Sequence, residues 1–405
     1  MKMRTRGIYL GVLCCVTYGL AYMCRINLSS AISKMADGFG TTVTTIGIFG
    51  TLQTFIYACG QLINGYIISR HRPRIVIFCA VIGSAAANLL MGITNNYYFA
   101  LVLWCVNAYM QSLFWGAMVR IINAYPESRS ETTVMWTILV LPISYIISWS
   151  LIGRMLDGVP AWHPYFLIPG ALLLLLGPFW GTMGRSCPET DKLQDSAVIR
   201  TPVEIFRYIF NNHVTVYCIV SVFTGIVREG ILFWAPVLLT QILTGTGISP
   251  YLTAPLIPFG RIPSTIALRY LLPRFRDHLK LNAVLFFAII IICAGILCVP
   301  ADSSVLLIIL IAFLTFLSTM LGSIYSVYVP LDYDFDNMSA PLAGLLDALI
   351  YLGGAISTFV LGHILASGSL KDAALFWGII GALGIFIPIV MPRPVHKSEA
   401  CRPER

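Results

Sequence analysis

The sequence predicts an all-α membrane protein with twelve spans in two six-helix halves. Three observations predict it. Of 405 residues, 58% are hydrophobic and only 11% charged, and the mean hydropathy is +0.82. A soluble domain has nowhere to bury that much apolar surface. Apolar runs of about 20 residues recur along the chain between short polar breaks. The 26 lysines and arginines are also placed asymmetrically: nineteen on the side of the N-terminus, three (Lys34, Arg154, Lys371) on the other, and four inside runs. Basic residues mark the cytoplasmic side, so both termini and the middle loop are expected there. The net charge of +8 then reflects topology, and no nucleic-acid partner is expected.

In order, the expected spans are 7–32, 43–68, 74–94, 98–124, 130–155, 163–184, 213–237, 249–272, 281–300, 304–329, 340–366 and 371–392. The first is too long for the apolar core of a cleavable leader and has no convincing cleavage site, so it reads as a span. The longest polar break, 185–212, separates six spans from six. The expected organisation is an N-terminal half (1–184), a linker (185–212), a C-terminal half (213–392) and a cytoplasmic tail (393–405). Within the linker, the half-apolar TPVEIFRYIF suits the membrane surface. The halves echo each other: GYIISRHRPR follows the second span and LRYLLPRFRDHLK the eighth, both as basic turns.

Several chemistries lack their motifs. The eleven cysteines are scattered and mostly within spans, without C-x-x-C or metal-ligand spacing, and read as small apolar fillers. No histidine pair, nucleotide-phosphate loop, G-x-S-x-G or H-E-x-x-H is present, so neither an enzyme nor a cofactor or metal is expected. The acidic DYDFDN, with Asp332, Asp334 and Asp336, lacks the central glycine and distal glutamate of a calcium loop and reads as a solvated turn.

The informative residues are the charges left inside the spans: Arg25, Arg120, Arg228, Arg261, Glu229 and Asp347. A cation at mid-membrane costs roughly 2.5 kcal/mol or more, so it needs a partner or a watered cavity. Arginine cannot escape by losing its proton. Arg25 and Arg228 occupy matching places in the first helix of each half, as expected of a site that holds an anion. Tyr18, Tyr22 and Arg25 follow at i, i+4 and i+7 and share one helix face. The rival for this stripe is structural: an arginine bound to a carbonyl, with tyrosines as packing. Arg228 lies between Gly225 and Gly230. Glu229 is about 100° away around the helix, so Arg228 is expected to face the cavity and Glu229 a neighbouring helix, as a coupling acid, a member of an ion pair or a protonated, silent acid. Asp347, with Tyr351 one turn on, either carries a coupling proton or pairs with Arg261. Arg261 sits between Pro258 and Pro263, whose freed carbonyls it can satisfy. Arg120 is near enough to the cytoplasmic end to snorkel.

At these residues the chain resembles the organophosphate:phosphate antiporter family of the major facilitator superfamily, whose bacterial members import glycerol 3-phosphate or hexose phosphates. TYGLAYMCRINLSSAI carries Tyr18, Tyr22, Arg25 and Asn27 in that family's first-helix pattern. QSLFWGAMVR carries Gln111, Trp115 and Arg120 at its fourth-helix spacing, and Trp136 follows on the fifth. VREGILFWAPVLL carries Arg228, Gly230, Trp234 and Pro236 of its seventh-helix pattern, and YLGG runs from Tyr351 to Gly354. The resemblance implies that Arg25 and Arg228 hold a phosphate between the halves, with Tyr18, Tyr22, Gln111, Trp136 and Tyr351 around it. Trp115, Arg120 and Asn27 are expected in structural or gating positions. It implies exchange of an organophosphate for phosphate by rocking of the halves. The short loops suit a bacterial cytoplasmic membrane, and a monomer is expected. The family's other features depart here: Val140 replaces a histidine, Gln61 a lysine, Gly225 a tyrosine, Glu229 an aromatic residue, and Ser69 the acid of the basic turn. These departures leave the anion's identity open. Proton-coupled symport of a sugar acid or other organic acid, and a non-transporting sugar-phosphate sensor, stand as alternatives.

Overall fold

The computed structural model describes residues 3–123, 140–186, 202–275, 277–300, 303–333, 338–367 and 369–394. Among these residues the secondary structure is helical, without strands. Ten helices are long and apolar enough to cross a membrane. Two further apolar helical regions, Val140–Met155 and the broken stretch that begins at Pro250, complete the twelve.

In the N-terminal half, α1 is Met3–Phe39, α2 Val43–Arg70 and α3 Pro73–Met91. α4 is Tyr97–Ser112, continued as Phe114–Asn123. α5 is Val140–Met155, and α6 is Pro164–Leu174, continued as Gly177–Ser186. In the C-terminal half, α7 is Thr215–Leu243. α8 consists of Pro250–Thr253, Leu256–Phe259 and Arg261–Leu271. α9 is His278–Cys298, α10 Ser304–Leu331, α11 Ser339–Ser367 and α12 Leu370–Val390.

Local chemistry sets many of these ends. The side chains of Thr42, Asn96 and Asp277 accept bonds from the first backbone N–H groups of α2, α4 and α9. Ser369 and Asp372 form a capping box on α12. Prolines open α3, α6 and α8, where their missing N–H costs nothing. α1 runs seven residues beyond its expected end. Lys34 explains the extension, because its Nζ donates to the carbonyls of Leu156 and Val159 at 2.6 and 2.7 Å and so ties the extra turns to the end of α5. Phe39 then packs on Trp162, and Gly40, at φ +62°, stops the helix. α8 is broken where Pro255, Pro258 and Pro263 interrupt it. Two stretches are π-helical, Ile146–Ile152 in α5 and Ile324–Tyr328 in α10.

The chain forms two compact units. The first comprises Met1–Ala197 with Ala235–Gln241 and Gly247–Pro255. Within it α3 packs on α4 and α6, and α1 on α2 and α6. Its core includes Leu10, Cys14, Ala80, Phe114, Met118 and Trp180. The second comprises Val198–Trp234, Ile242–Thr246 and Leu256–Arg405, with α9 laid along α12 and α8 against α10. The pairings α3–α6 and α9–α12 are the same helix pair of each six-helix repeat.

The linker stretch TPVEIFRYIF forms a short helix, Pro202–Asn211, whose Val203, Phe206 and Phe210 are exposed while Ile209 is buried. Trp136, Asp334 and Asp336 lie outside the described residues, as does most of the polar part of the linker.

Candidate functional site

Arg25 lies on α1 in the first unit and is only 8% exposed. Two tyrosine rings receive its guanidinium: the Cζ is 4.3 Å from the ring centroid of Tyr57 on α2 and 5.5 Å from that of Tyr22. A cation over an aromatic face is held by the ring's quadrupole without an opposing charge. Tyr18 and Tyr22 continue the stripe down α1, their ring centroids 6.0 Å apart. Tyr18 meets Trp115 at 5.5 Å and Tyr22 meets Tyr145 at 5.6 Å, so residues from α1, α4 and α5 form one aromatic wall. Val140, at the position of the missing histidine, lies against Gly19 on α1.

A buried amide network fixes α1 behind this wall. Asn107 donates to the carbonyl of Cys24 at 2.9 Å, and Asn88 donates to the same carbonyl at 3.4 Å and to Asn107 Oδ1 at 3.1 Å. Ser84 donates to Asn107 Oδ1, and Asn27 donates to Asn88 Oδ1 and to the carbonyl of Tyr165. Gln111 donates through Nε2 to the carbonyl of Ala21 at 2.8 Å and to Ser84 Oγ at 2.9 Å. Gln53 donates to the carbonyl of Arg25 itself. Helices α2, α3 and α4 thus grip the backbone of α1 at residues 21, 24 and 25. Gln111, expected beside the substrate, has its amide nitrogen engaged in this grip. Asn27 bridges α1 to α3 and α6 through its bonds to Asn88 and Tyr165.

Arg228 lies on α7 in the second unit, 6% exposed, beside Glu229 at 8%. The expectation that the two side chains diverge does not hold. Arg228 Nε donates to Glu229 Oε1 at 2.7 Å. Their Cβ atoms leave the helix at different angles, but the three methylenes of arginine let the guanidinium fold sideways onto its neighbour. The guanidinium also lies 5.7 Å from the Tyr351 ring centroid on α11, and the charges of Arg261 and Asp347 act on it. Arg228 and Glu229 therefore form a buried ion pair on α7, beside the Tyr351 ring of α11.

Glycines make room for it. A Cβ on Gly322 of α10 would strike Nη1 of Arg228. A Cβ on Gly225 would strike the carbonyl oxygen of Ile350, and one on Gly353 the carbonyl oxygen of Val222. α7 and α11 therefore cross backbone to backbone, a close approach that small residues permit in membranes. The family's tyrosine at position 225 has no space here. Arg120 donates through Nη1 to the carbonyl of Ile68 at the end of α2, a helix-end tie.

Tyr57 is the partner that sequence reading missed. Its signal was available: Gln53, Tyr57 and Asn64 recur at helical spacing on one face of α2, and Asn64 donates to Ser112 on α4 at 2.6 Å. Among the described residues no group of three or more His, Cys, Asp or Glu could hold a metal ion.

Against known proteins, a family model described as Major Facilitator Superfamily matches residues 14–340. The glycerol-3-phosphate transporter of Bacillus subtilis (strain 168) is 22% identical over 395 residues, covering 88% of this chain and 84% of that one. The membrane sensor protein UhpC of Escherichia coli (strain K12) is 23% identical over 167 residues, covering 40% of this chain and 37% of that one. The chain thus spans less than two thirds of the sensor's length. The crystal structure of nucleoside transporter NupG superposes with a TM-score of 0.74 at 13% identity, covering 96% of this chain and 99% of that one, a likeness of fold alone.

Proposed function

The chain belongs to the Major Facilitator Superfamily, and from that premise we propose that it is a secondary carrier of a small anionic metabolite, an organophosphate taken up in exchange for phosphate. One observation carries the proposal. Each half keeps one buried arginine at the same place in its first helix, with an aromatic ring beside the guanidinium. Planar guanidinium offers parallel N–H groups matched to tetrahedral oxyanions. Arg25 and Arg228 are the anion-binding residues in this reading, with Tyr18, Tyr22 and Tyr351 supporting them, and alternating access moves the anion across the membrane. The organophosphate as cargo is supported by the Bacillus subtilis relative, whose name states glycerol 3-phosphate.

Counterflow tests it. Purified protein in liposomes loaded with unlabelled phosphate should accumulate labelled phosphate or glycerol 3-phosphate without ATP or an ion gradient. Binding without any flux would instead mark a sensor.

The Arg228–Glu229 pair favours a second reading. A carboxylate bound to one arginine lowers the site's positive charge, which suits a monoanionic sugar acid that enters with a proton. Uptake of labelled gluconate driven by an imposed inward proton gradient, with no phosphate inside, would select that version.

A further inference from the structure

We propose that Glu229 is a tethered counter-anion that competes with the transported anion for Arg228 and so sets the affinity and charge selectivity of the carrier. The inference rests on the reading that Arg228 binds the anion.

The argument starts from the edges of the guanidinium. Arginine presents two bidentate edges to an oxyanion: the side edge, with Nε and one Nη, and the end edge, with both Nη atoms. Glu229 occupies Nε at 2.7 Å, so the side edge is taken. The Tyr351 ring lies 5.7 Å from the guanidinium carbon, and Gly322 borders Nη1. The bond to Glu229 is one that another anion could replace. A carboxylate oxygen is chemically what the substrate would supply, and here it is supplied from within the same helix.

The surrounding charge points the same way. Arg261 of α8, and Asp347 and Tyr351 of α11, act on Arg228; α10 contributes Gly322. Arg228 is balanced by Glu229, so the ion pair is neutral with that acid ionised. An incoming anion would then add uncompensated negative charge to a buried place, which is unfavourable in a poorly polarisable medium. Displacing Glu229 from Nε, or neutralising it, removes that obstacle. A purely structural ion pair predicts the opposite, because removing one member leaves the other buried charge uncompensated and disorders the site.

The test measures dissociation constants of gluconate and glycerol 3-phosphate for the purified full chain in nanodiscs at neutral pH. Wild type, Glu229→Gln, Glu229→Asp and Arg228→Ala are compared. Aspartate keeps the charge but is one methylene short of Nε. The competitor model expects Glu229→Gln to bind both probes about tenfold more tightly or better, with the larger gain for the more highly charged phosphate ester. Glu229→Asp should show a smaller gain in the same direction, and it remains informative if the glutamine variant does not fold. Equal or weaker binding by both Glu229 variants, while Arg228→Ala abolishes binding, overturns the competitor and leaves the anion-binding role of Arg228 intact. Binding that survives in Arg228→Ala, or that is absent from wild type and both Glu229 variants, overturns the underlying reading.

Discussion

The guanidinium carbon of Arg25 lies 4.3 Å from the centre of the Tyr57 ring, on the neighbouring helix. The ring holds the cation in place without cancelling it. Tyr57→Phe keeps the aromatic face, whereas Tyr57→Leu removes it. A cation–π contact contributes about 0.5–2 kcal/mol, so the leucine variant should raise the KM for uptake by about 2- to 30-fold while phenylalanine stays near wild type. Equal kinetics for the two variants would show that Arg25 does not depend on the ring.

Charge alone should not replace either arginine. Lysine offers a point charge without the parallel fork. Arg25→Lys and Arg228→Lys should each slow counterflow by about a hundredfold or more, since two charge-assisted bonds at about 1.5–3 kcal/mol each lose their geometry. Both variants should elute as monodisperse protein. Near-normal flux in either would end the two-arginine scheme.

The amide network behind Arg25 carries its own signature. Asn107→Ala deprives Ser84 and Asn88 of an acceptor and the Cys24 carbonyl of a donor. Leaving buried polar groups unpaired costs about 1–3 kcal/mol, visible as a lower melting temperature. Because α1 loses its anchor beside Arg25, KM should rise more than kcat falls. A lower melting temperature with unchanged KM would make the network a matter of stability only.

The α7–α11 crossing should tolerate no added methyl group. Gly225→Ala and Gly353→Ala each drive a Cβ into a backbone carbonyl, which cannot move aside as a side chain can. Losses of about 1–3 kcal/mol or more are expected from overpacking. Gly344→Ala, on the same α11 with open space around it, is the control and should be neutral or stabilising by about 0.5–1 kcal/mol. Thermal unfolding of the three purified variants decides this directly.

Much of the fold was readable because lipid imposes simple rules on sequence. Each span must be apolar and of fixed length, and basic loops mark one side. Arg25 and Arg228 stand out because charges are rare in such runs. Other features depend on contacts that periodicity does not encode. The fold of Arg228 onto Glu229 arises from side-chain flexibility that helical-wheel angles ignore. The meaning of Gly225 needs its partner, Gly353, 128 positions later. The extra length of α1 depends on what Lys34 finds at the end of α5. The π-helical turns of α5 and α10 left no pattern that we could read.

The close crossing of α7 and α11 has a mechanical consequence. Gly225 meshes with the backbone at Ile350, and Gly230 with Ser357 and Leu361. Arg228 sits between these two meshing points. Like a rack engaged at two teeth, the pair resists slippage along its length. Arg228 on α7 and the Tyr351 ring on α11 are thus held at a fixed spacing by the meshing on either side of them.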